Sequence, residues 1–323
     1  MDWRALRDRA LRTLETERQP SVRLTAAREL RDFAAEHRGH SGDFGPALLR
    51  LLGDSDTEVR RLGLEAAAAI LPAEEVEPLL WARAADELPA IRVTAVGLIA
   101  DMERAASRPL LAAALQDATF TVRFEAARGL AALGHSAGLE VLIEALEFPD
   151  LRFRALGGLA QLGNPAAVPA IRKIFRRWLL PGFDRTQAAG ALAKLGDDDG
   201  ATYLLKRTYS RRGMDRPFAI ELCGDIKAAG AFERLMEILR DTKDPARGAA
   251  ARGLGRLGNP EAFPALVELL ESKSSPEDLR LDAAEGLCLL RTPAARRKVE
   301  QAFAASAELS TRRALEELLE AYA

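Results

Sequence analysis

The sequence predicts an all-α fold, a right-handed α-solenoid of about ten helical hairpins. Residues 247–270, RGAAARGLGRLGNPEAFPALVELL, have the pattern of two helices joined at a short corner, and residues 152–171 repeat that pattern. Repetition at this length is typical of solenoids, in which each unit packs only on its neighbours. The chain is also 48% hydrophobic, and much of this is alanine and leucine, which favour helices.

The repeated unit contains signals for each of its parts. The small and apolar residues of its first helix fall three and four positions apart, which places them on one face. Gly258 is expected to close that helix in the left-handed conformation, Asn259 to cap the next helix, and Pro260 to occupy its first turn. Pro264 is expected inside the second helix, where it would cause a kink.

One arginine per unit gives the register of the whole chain. Each arginine lies ten residues before an apolar residue that closes the same helix, and alanine follows eight of the ten arginines by three residues. A small residue at that position allows neighbouring helices to approach closely. The arginines are Arg23, Arg60, Arg92, Arg123, Arg152, Arg185, Arg216, Arg247, Arg280 and Arg312. The closing residues are Phe33, Ile70, Met102, Leu133, Leu162, Leu195, Ile226, Leu257, Leu290 and Tyr322.

This register resembles that of HEAT repeats, specifically the short HEAT-like class named after phycobilin lyases, over nearly the full chain. Residues 119–171 and 244–270 match the pattern most clearly. The resemblance implies that each arginine pairs with an acidic or carbonyl group of a neighbouring turn, so that a ladder runs along the stack. Aspartates shortly before the arginines are expected to serve this ladder and the helix caps. They are Asp56, Asp86, Asp117, Asp150, Asp184, Asp215, Asp244 and Asp278.

The register predicts one continuous solenoid over residues 1–323. Residues 1–37 are expected to form an amino-terminal capping repeat, residues 38–306 the central repeats, and residues 307–323 a capping helix. The first residues, MDWRALRDRALRTLE, lack an apolar run long enough for a signal peptide or a membrane span, so a cytoplasmic protein is expected. Cys223 and Cys288 fall on repeat helices and are interpreted as reduced packing residues.

The charge distribution indicates one candidate partner surface. Residues 57–150 have a net charge of −7, residues 151–216 carry thirteen Lys/Arg against five Asp/Glu, for a net charge of +8, and residues 217–323 have a net charge of −3. The basic segment, residues 172–212, is therefore expected to contact an acidic protein surface. Its candidate residues are predicted on one intervening helix, with Arg172, Lys173, Arg176, Arg177 and Trp178, and on the next, with Lys206, Arg207, Tyr209, Arg211 and Arg212. The stretch WLLPGF between them predicts a corner with some exposed apolar residues.

The helices that begin with the arginines are expected to line a concave groove, as the resemblance to HEAT repeats implies. Their polar positions lie two, five and nine residues after each arginine, and the groove of the central repeats is expected to hold a partner. The candidate groove residues are Arg128, Arg154, Gln161, Gln187, Lys194, Phe218, Glu221, Arg252 and Arg256.

Enzyme motifs are not found in the sequence. Deoxyhypusine hydroxylase is built on similar repeats and binds iron through His-Glu pairs, but none of His37, His40 and His135 is followed by glutamate. His37 and His40 lack a third ligand nearby, and His135 is interpreted as a helix cap, so no metal site is expected. Neither a glycine-rich phosphate loop nor a Ser-His-Asp order is present, and no cofactor is expected.

The sequence therefore predicts a non-catalytic scaffold that holds a partner protein in a regulatory or assembly complex, without a membrane or metal partner. One alternative is a nucleic-acid-binding protein similar to the HEAT-like DNA alkylation glycosylases, acting through residues 172–212. Its tryptophans, however, are predicted on the intervening helices rather than in the groove, and the groove is mixed in charge. A second alternative is a subunit similar to phycobilin lyases, whose repeats this chain resembles.

Overall fold

The computed structural model describes residues 3–36, 41–210 and 213–322, and all regular structure within these ranges is helical. Short 3-10 turns precede several of the α-helices. The α-helices are α1 Trp3–Thr16, α2 Pro20–Glu36, α3 Ser41–Leu52, α4 Thr57–Ile70, α5 Ala73–Arg83, α6 Pro89–Asp101, α7 Arg108–Ala114, α8 Phe120–Ala132, α9 Leu139–Ala145, α10 Pro149–Leu162, α11 Val168–Phe175, α12 Gly182–Lys194, α13 Asp198–Thr208, α14 Arg216–Asp225, α15 Ala231–Arg240, α16 Arg247–Leu257, α17 Phe263–Glu271, α18 Glu277–Leu289, α19 Pro293–Ala305 and α20 Leu309–Ala321.

Helices of two kinds alternate along the chain. All ten arginines of the register lie within the first four residues of the even-numbered helices, which we call the arginine helices. The odd-numbered helices, which we call the intervening helices, connect them. Nine of the ten closing residues are the last residue of an arginine helix or directly follow it, so the register predicted both ends of these helices.

The chain forms two compact units, Met1–Ala145 and Leu146–Ala323. In the first unit, α2, α4, α6 and α8 pack one on the next, and α1, α3, α5 and α7 each pack on the arginine helix that follows. The second unit repeats this arrangement from α10 to α20. Each unit is thus a stack of helical hairpins, which is the α-solenoid that the sequence predicts.

Small residues let the arginine helices approach one another. The eight alanines that follow the arginines by three residues are all buried. In the second unit the approach is closest at two glycine pairs. A Cβ atom on Gly224 would lie 2.0 Å from the carbonyl oxygen of Gly253, and one on Gly255 would lie 2.3 Å from the carbonyl oxygen of Gly286. The backbones of α14, α16 and α18 therefore meet at positions that only glycine fits.

The corner after α16 forms largely as the sequence predicts. Gly258 has a φ of 73°, and the Asn259 Oδ1 accepts a hydrogen bond from the Glu261 N–H at 3.0 Å. Pro260 begins a 3-10 turn of three residues, and the α-helix proper begins only at Phe263. The predicted position of Pro264 inside the helix is therefore wrong. Pro264 lies in the first helical turn, where a backbone N–H has no partner within the helix and proline removes no hydrogen bond.

The residue after the closing position is left-handed in seven hairpins. Glycine occupies that position at Gly134, Gly163, Gly196 and Gly258. In the other three hairpins the residue has a side chain, and these are Glu103, Lys227 and Arg291, with φ values of 49°, 51° and 52°. The left-handed conformation costs a residue with a side chain roughly 1–2 kcal/mol. The corner geometry is thus common to these repeats even where glycine is missing.

The arginines form the ladder that the resemblance to HEAT repeats implies. Arg23, Arg92, Arg152 and Arg216 donate to backbone carbonyl groups of the corner before their own helix and also to a carboxylate of the following hairpin. At Arg216 both partners are buried, and its two terminal nitrogens each lie 2.7 Å from an oxygen of Asp244. The four carboxylates are Asp54, Asp117, Asp184 and Asp244.

Four other arginines, Arg60, Arg123, Arg185 and Arg247, donate to backbone carbonyls alone. Arg60 and Arg123 donate to the carbonyls of Asp54 and Asp117, and Arg247 donates to that of Leu239. The predicted Asp56 is not a ladder residue. Its carboxylate caps α4 by accepting from the N–H groups of Glu58 and Val59, and Asp54 takes the ladder position in its place.

Replacing Arg216 by alanine should lower the free energy of unfolding by about 3–5 kcal/mol, because it leaves the buried Asp244 carboxylate without its cation. Urea unfolding of the full chain measures this. The matched control is Arg313→Ala, whose partner Glu317 is exposed like Arg313 itself, so a loss under about 0.5 kcal/mol is expected. Equal losses in the two variants would contradict a structural role for the ladder.

Replacing Lys227 by glycine should raise the free energy of unfolding by about 0.5–1 kcal/mol, because glycine adopts a left-handed φ without strain. The reverse change at the equivalent corner, Gly258→Ala, should lower it by about 1 kcal/mol, since no atom lies within 4 Å of the new Cβ and only the backbone is strained. Thermal unfolding of both variants tests this. A destabilised Lys227→Gly variant would mean that the lysine side chain has a role of its own.

Candidate binding surface

The structure divides the first half of the basic segment between a helix and a corner. Arg172 and Lys173 lie on α11 as predicted, but that helix ends at Phe175. The prediction that the same helix also carries Arg176, Arg177 and Trp178 is wrong. These residues lie in the corner before α12, because the chain must turn before Pro181, and a residue that precedes proline is disfavoured in the helical conformation.

The structure describes only some of the candidate residues in the second half of the basic segment. Lys206 and Arg207 lie in the last turn of α13, whereas Tyr209 follows the end of that helix. The predicted residues Arg211 and Arg212 lie outside the described residues. The Tyr209 ring stacks against the Arg234 guanidinium at 4.0 Å from the ring centroid, a cation–π contact on an exposed face.

Carboxylates of the same unit lie close to much of this positive charge. Arg172 pairs with Asp197, and Lys173 and Arg177 both pair with Glu147. Hydrogen bonds from Arg177 and Lys173 lower the pKa of Glu147. The side chains of Lys173 and Arg176 nevertheless remain 72% and 67% exposed. Exposed pairs of this kind contribute little to stability, so both cations can also interact with a partner.

The ladder changes at the corner that carries Trp178. By the pattern of the other repeats, Arg185 would pair with Asp215 of the following hairpin. Asp215 instead accepts from the Arg207 Nε at 2.8 Å and from the Thr186 hydroxyl at 2.8 Å. Arg185 donates to the carbonyls of Arg177 and Trp178, at 2.6 and 3.1 Å. The arginine therefore fixes the corner backbone that presents Trp178 to solvent.

Large apolar side chains are exposed at two adjacent corners. Trp178 and Leu179, before α12, are 89% and 81% exposed, and Met214, before α14, is 85% exposed. The corners adjoin, since a Cβ on Gly182 would lie 3.2 Å from the Asp215 carboxylate. The predicted exposure of apolar residues in WLLPGF is confirmed, although Leu180 is buried.

A row of three phenylalanines lies on α10 and on the two arginine helices that follow these corners. Phe153, Phe183 and Phe218 lie near the amino-terminal ends of α10, α12 and α14. The ring of Phe218 lies 5.7 Å from that of Phe153 and 6.4 Å from that of Phe183, centroid to centroid. We call the row and the two corners together the apolar surface. It comprises Phe153, Trp178, Leu179, Phe183, Met214 and Phe218.

Most of the predicted groove cations make ion pairs between neighbouring arginine helices. Arg128 on α8 pairs with Asp101 on α6, and Lys194 on α12 pairs with Asp225 on α14 at 2.6 Å. Glu221 on α14 pairs with Arg252 and Arg256 on α16.

The other predicted groove residues differ in their surroundings. Arg252 also pairs with Asp282 on α18, Gln187 lies close to Gly157 on α10, and Arg154 and Gln161 are exposed on α10. Only Phe218 joins the apolar surface. Arg128, Lys194, Glu221, Arg252 and Arg256 thus have a structural role, because their ion pairs connect successive hairpins.

The sequence contains a signal for the missed residues. Two positions before the arginine, the other repeats have small or polar residues or proline, such as Ser21, Glu58 and Asp278, whereas Phe183 and Met214 occupy this position in two successive repeats. Comparison of the repeats at that position would have identified both residues. Phe153 and Leu179 have no equivalent signal, because apolar residues are common at their positions and only the structure shows their exposure.

The histidines and cysteines are the remaining candidates for chemistry in this protein. No group of three or more His, Cys, Asp or Glu side chains there could hold a metal ion. His37 and His40 lie outside the described residues, and the predicted cap at His135 is confirmed, since its Nδ1 accepts from the Ala137 N–H. Cys223 and Cys288 are buried free thiols, and burial raises their pKa to about 12 and about 11.

The described helices include none that is both long and apolar enough to span a bilayer.

Comparison with known families and structures supports the fold. A family model of HEAT repeats matches residues 76–148, 215–288 and 232–320, which together cover more than half of the chain. A model of the PBS lyase HEAT-like repeat matches residues 151–177. No curated protein matches the sequence significantly.

Among solved structures, a mutant of Kap121p matches 98% of this chain at 12% identity and a TM-score of 0.50, and this chain spans only 45% of that protein. The complex of CpcE and CpcF of phycocyanin lyase from Nostoc sp. PCC7120 matches 78% of this chain and 98% of that chain, at 21% identity and a TM-score of 0.48. Human deoxyhypusine hydroxylase matches 90% of this chain and 96% of that chain, at 19% identity and a TM-score of 0.31.

The Asp215 carboxylate should make stability depend on pH. Hydrogen bonding from Arg207 lowers its pKa, against the opposing effect of burial. Its contribution is therefore complete above the unfolded value near 4 and is lost as the pH falls through the lower folded value. Asp215→Asn should lower the free energy of unfolding by about 2 kcal/mol at pH 7, and its difference from the wild type should narrow at pH 3.

The matched control for this prediction is Asp199→Asn, because Asp199 lies 3.5 Å from Arg176 in an exposed pair. Its effect should stay below about 0.5 kcal/mol at both pH values. Urea titrations at the two pH values measure both variants. A difference for Asp215→Asn that is the same at pH 7 and pH 3 would contradict the assignment.

Proposed function

Because the chain belongs to the HEAT-repeat family, we propose that it is a non-catalytic scaffold that binds a partner protein through the apolar surface of its second unit. The exposure of Trp178, Leu179 and Met214, at the corners that lead into two helices of the phenylalanine row, is the observation that carries this proposal. Isolated exposed apolar residues are common, but a cluster of this kind is typical of a surface that a partner covers.

The corner that carries Trp178 is organised before any partner binds. Arg185 holds the backbone carbonyls of Arg177 and Trp178, and the Arg207–Asp215 pair holds the adjoining corner. Binding to a corner that is already ordered costs less conformational entropy than binding that must first order a loop. Tryptophan in such a position is also the residue most often found to dominate binding energy at interfaces.

The partner segment is proposed to be acidic and to carry large apolar side chains. Residues 151–216 have a net charge of +8, and Lys173 and Arg176 extend into solvent near the Trp178 corner. Positive charge around an apolar contact favours an acidic partner and raises its rate of association. The predicted groove charges support the same choice of surface, since most of them are used between hairpins.

Protein is favoured over nucleic acid by the pairing of the cations. Binding to nucleic acid depends on lysines and arginines that replace the counterions of the phosphates. Here Arg172, Arg177 and Arg207 already have carboxylate partners, so few cations of the segment remain to replace the counterions of a phosphate backbone. Neither Cys223 nor Cys288 is a candidate nucleophile, since both thiols are buried.

The proposal is tested by selecting binders from a displayed library of 15-residue peptides with the full chain as bait. Enriched peptides should combine aspartate or glutamate with aromatic or large aliphatic residues. Fluorescence anisotropy of a selected peptide should show at least roughly tenfold weaker binding to Trp178→Ala, since residues of this kind contribute about 2 kcal/mol or more. The matched control is Trp81→Ala, an exposed tryptophan of the first unit, which should leave the affinity unchanged.

The charge component is tested with the double variant Lys173→Glu and Arg176→Glu. The double variant should bind the selected peptide more weakly, and its affinity for the peptide should depend less on salt concentration. Peptides that bind Trp178→Ala as well as the wild type would overturn the proposed surface. A single-stranded or duplex oligonucleotide that binds tightly at 50 mM salt and far more weakly at 200 mM would replace the proposal with a nucleic-acid-binding function.

A further inference from the structure

The arginine of the ninth hairpin, Arg280, has no ladder partner. In the part of the chain that the structure describes, its side chain makes neither a hydrogen bond nor an ion pair, and its Nε atom is buried without an acceptor. Arg185 also has a buried Nε without an acceptor, but its terminal nitrogen donates to two carbonyls. A buried N–H group without an acceptor is costly and normally marks the place of a missing partner.

The sequence explains why the ladder stops here. The carboxylate partners of Arg23, Arg92, Arg152 and Arg216 lie 25 to 32 residues further along the chain. The same window after Arg280 contains one carboxylate, Glu308, and this residue is exposed and accepts from the Ser310 hydroxyl at 3.1 Å. No carboxylate of the following hairpin therefore reaches Arg280.

Arg280 lines a cavity of about 400 Å³ that lies among α17, α18, α19 and α20. Leu270, Leu281 and Leu315 form part of an apolar wall, and Lys273 and Lys298 add positive charge. Glu271 lies 2.9 Å from the Lys298 Nζ and neutralises that cation, which leaves Arg280 and Lys273 as the positive groups. The volume is in the range of pockets that bind small molecules or single side chains.

We infer that this cavity binds an apolar ligand that carries one carboxylate, with the carboxylate beside Arg280 in the position that aspartate occupies in four other repeats. The apolar part would lie against the leucines, and the guanidinium would bind both carboxylate oxygens, as planar Arg–carboxylate pairs do. Two sources supply this chemistry. One is the carboxyl terminus of a polypeptide that ends in apolar residues, and the other is a fatty acid. The inference is independent of the apolar surface.

Calorimetry of the full chain tests the inference with two pairs of probes. One pair is decanoate and decanol, and the other is the acetylated tripeptide Ala-Leu-Leu with a free carboxylate and the same peptide with a terminal amide. One of the two carboxylates should bind, and its uncharged counterpart should bind at least tenfold more weakly. The pair that shows this difference identifies the source of the ligand.

Arg280→Met separates a binding role from a structural role. The variant should bind the carboxylate at least tenfold more weakly, while the melting temperature of the free chain stays unchanged or rises, because the arginine has no partner to lose. Arg313→Ala, at an exposed position of α20 that does not line the cavity, should bind like the wild type. Equal binding of acid and uncharged counterpart, undiminished binding by Arg280→Met, or no binding of either acid at millimolar concentration would overturn the inference.

Discussion

The structure of both units depends on the hydrogen bonds that a guanidinium makes at the start of an arginine helix. Arginine offers five N–H donors in one plane, so a single side chain can bind the carbonyls of the preceding corner and a carboxylate of the following hairpin. Arg216 does both, and Asp244 in turn accepts from the N–H of Ala246 in its own corner. One residue thus fixes the corner within a hairpin and the register between hairpins.

The two candidate sites arise where this interaction departs from its pattern. At Arg185 the expected carboxylate is taken by Arg207, and the arginine instead holds the corner that exposes Trp178. At Arg280 no carboxylate of the chain arrives, and a cavity lies beside the guanidinium. In a fold made of equivalent units, the units that break the common rule are the ones free to serve a purpose other than packing.

Much of the fold could be predicted from the sequence because the repeated pattern is local. The ten arginines and their closing residues located the arginine helices. The alanines three residues after eight of these arginines located the buried face of those helices. The left-handed corners at Glu103, Lys227 and Arg291 were missed, since none of these residue types indicates a positive φ. The end of α11 was also missed, because Arg176 and Arg177 favour helices as strongly as Arg172 does.

The candidate site was less predictable, because it depends on contacts across repeats. The excess of positive charge in residues 151–216 was visible in the sequence, but the pairing of Lys173 and Arg177 with Glu147 joins residues 26 and 30 positions apart. The exposure of the apolar residues could not be predicted either, since Leu179 and Leu180 are adjacent leucines and only Leu180 is buried.

The joint between α12 and α14 is the least extensively packed contact between successive arginine helices of the second unit. It lacks a ladder pair, and these two arginine helices pack less extensively than their neighbours α14 and α16, whose backbones meet at Gly224 and Gly253. Phe183 and Phe218 lie on opposite sides of this joint. A change of curvature there would alter the spacing of the two rings, so a ligand that spans them would stiffen the superhelix, and a strained superhelix would bind that ligand with altered affinity.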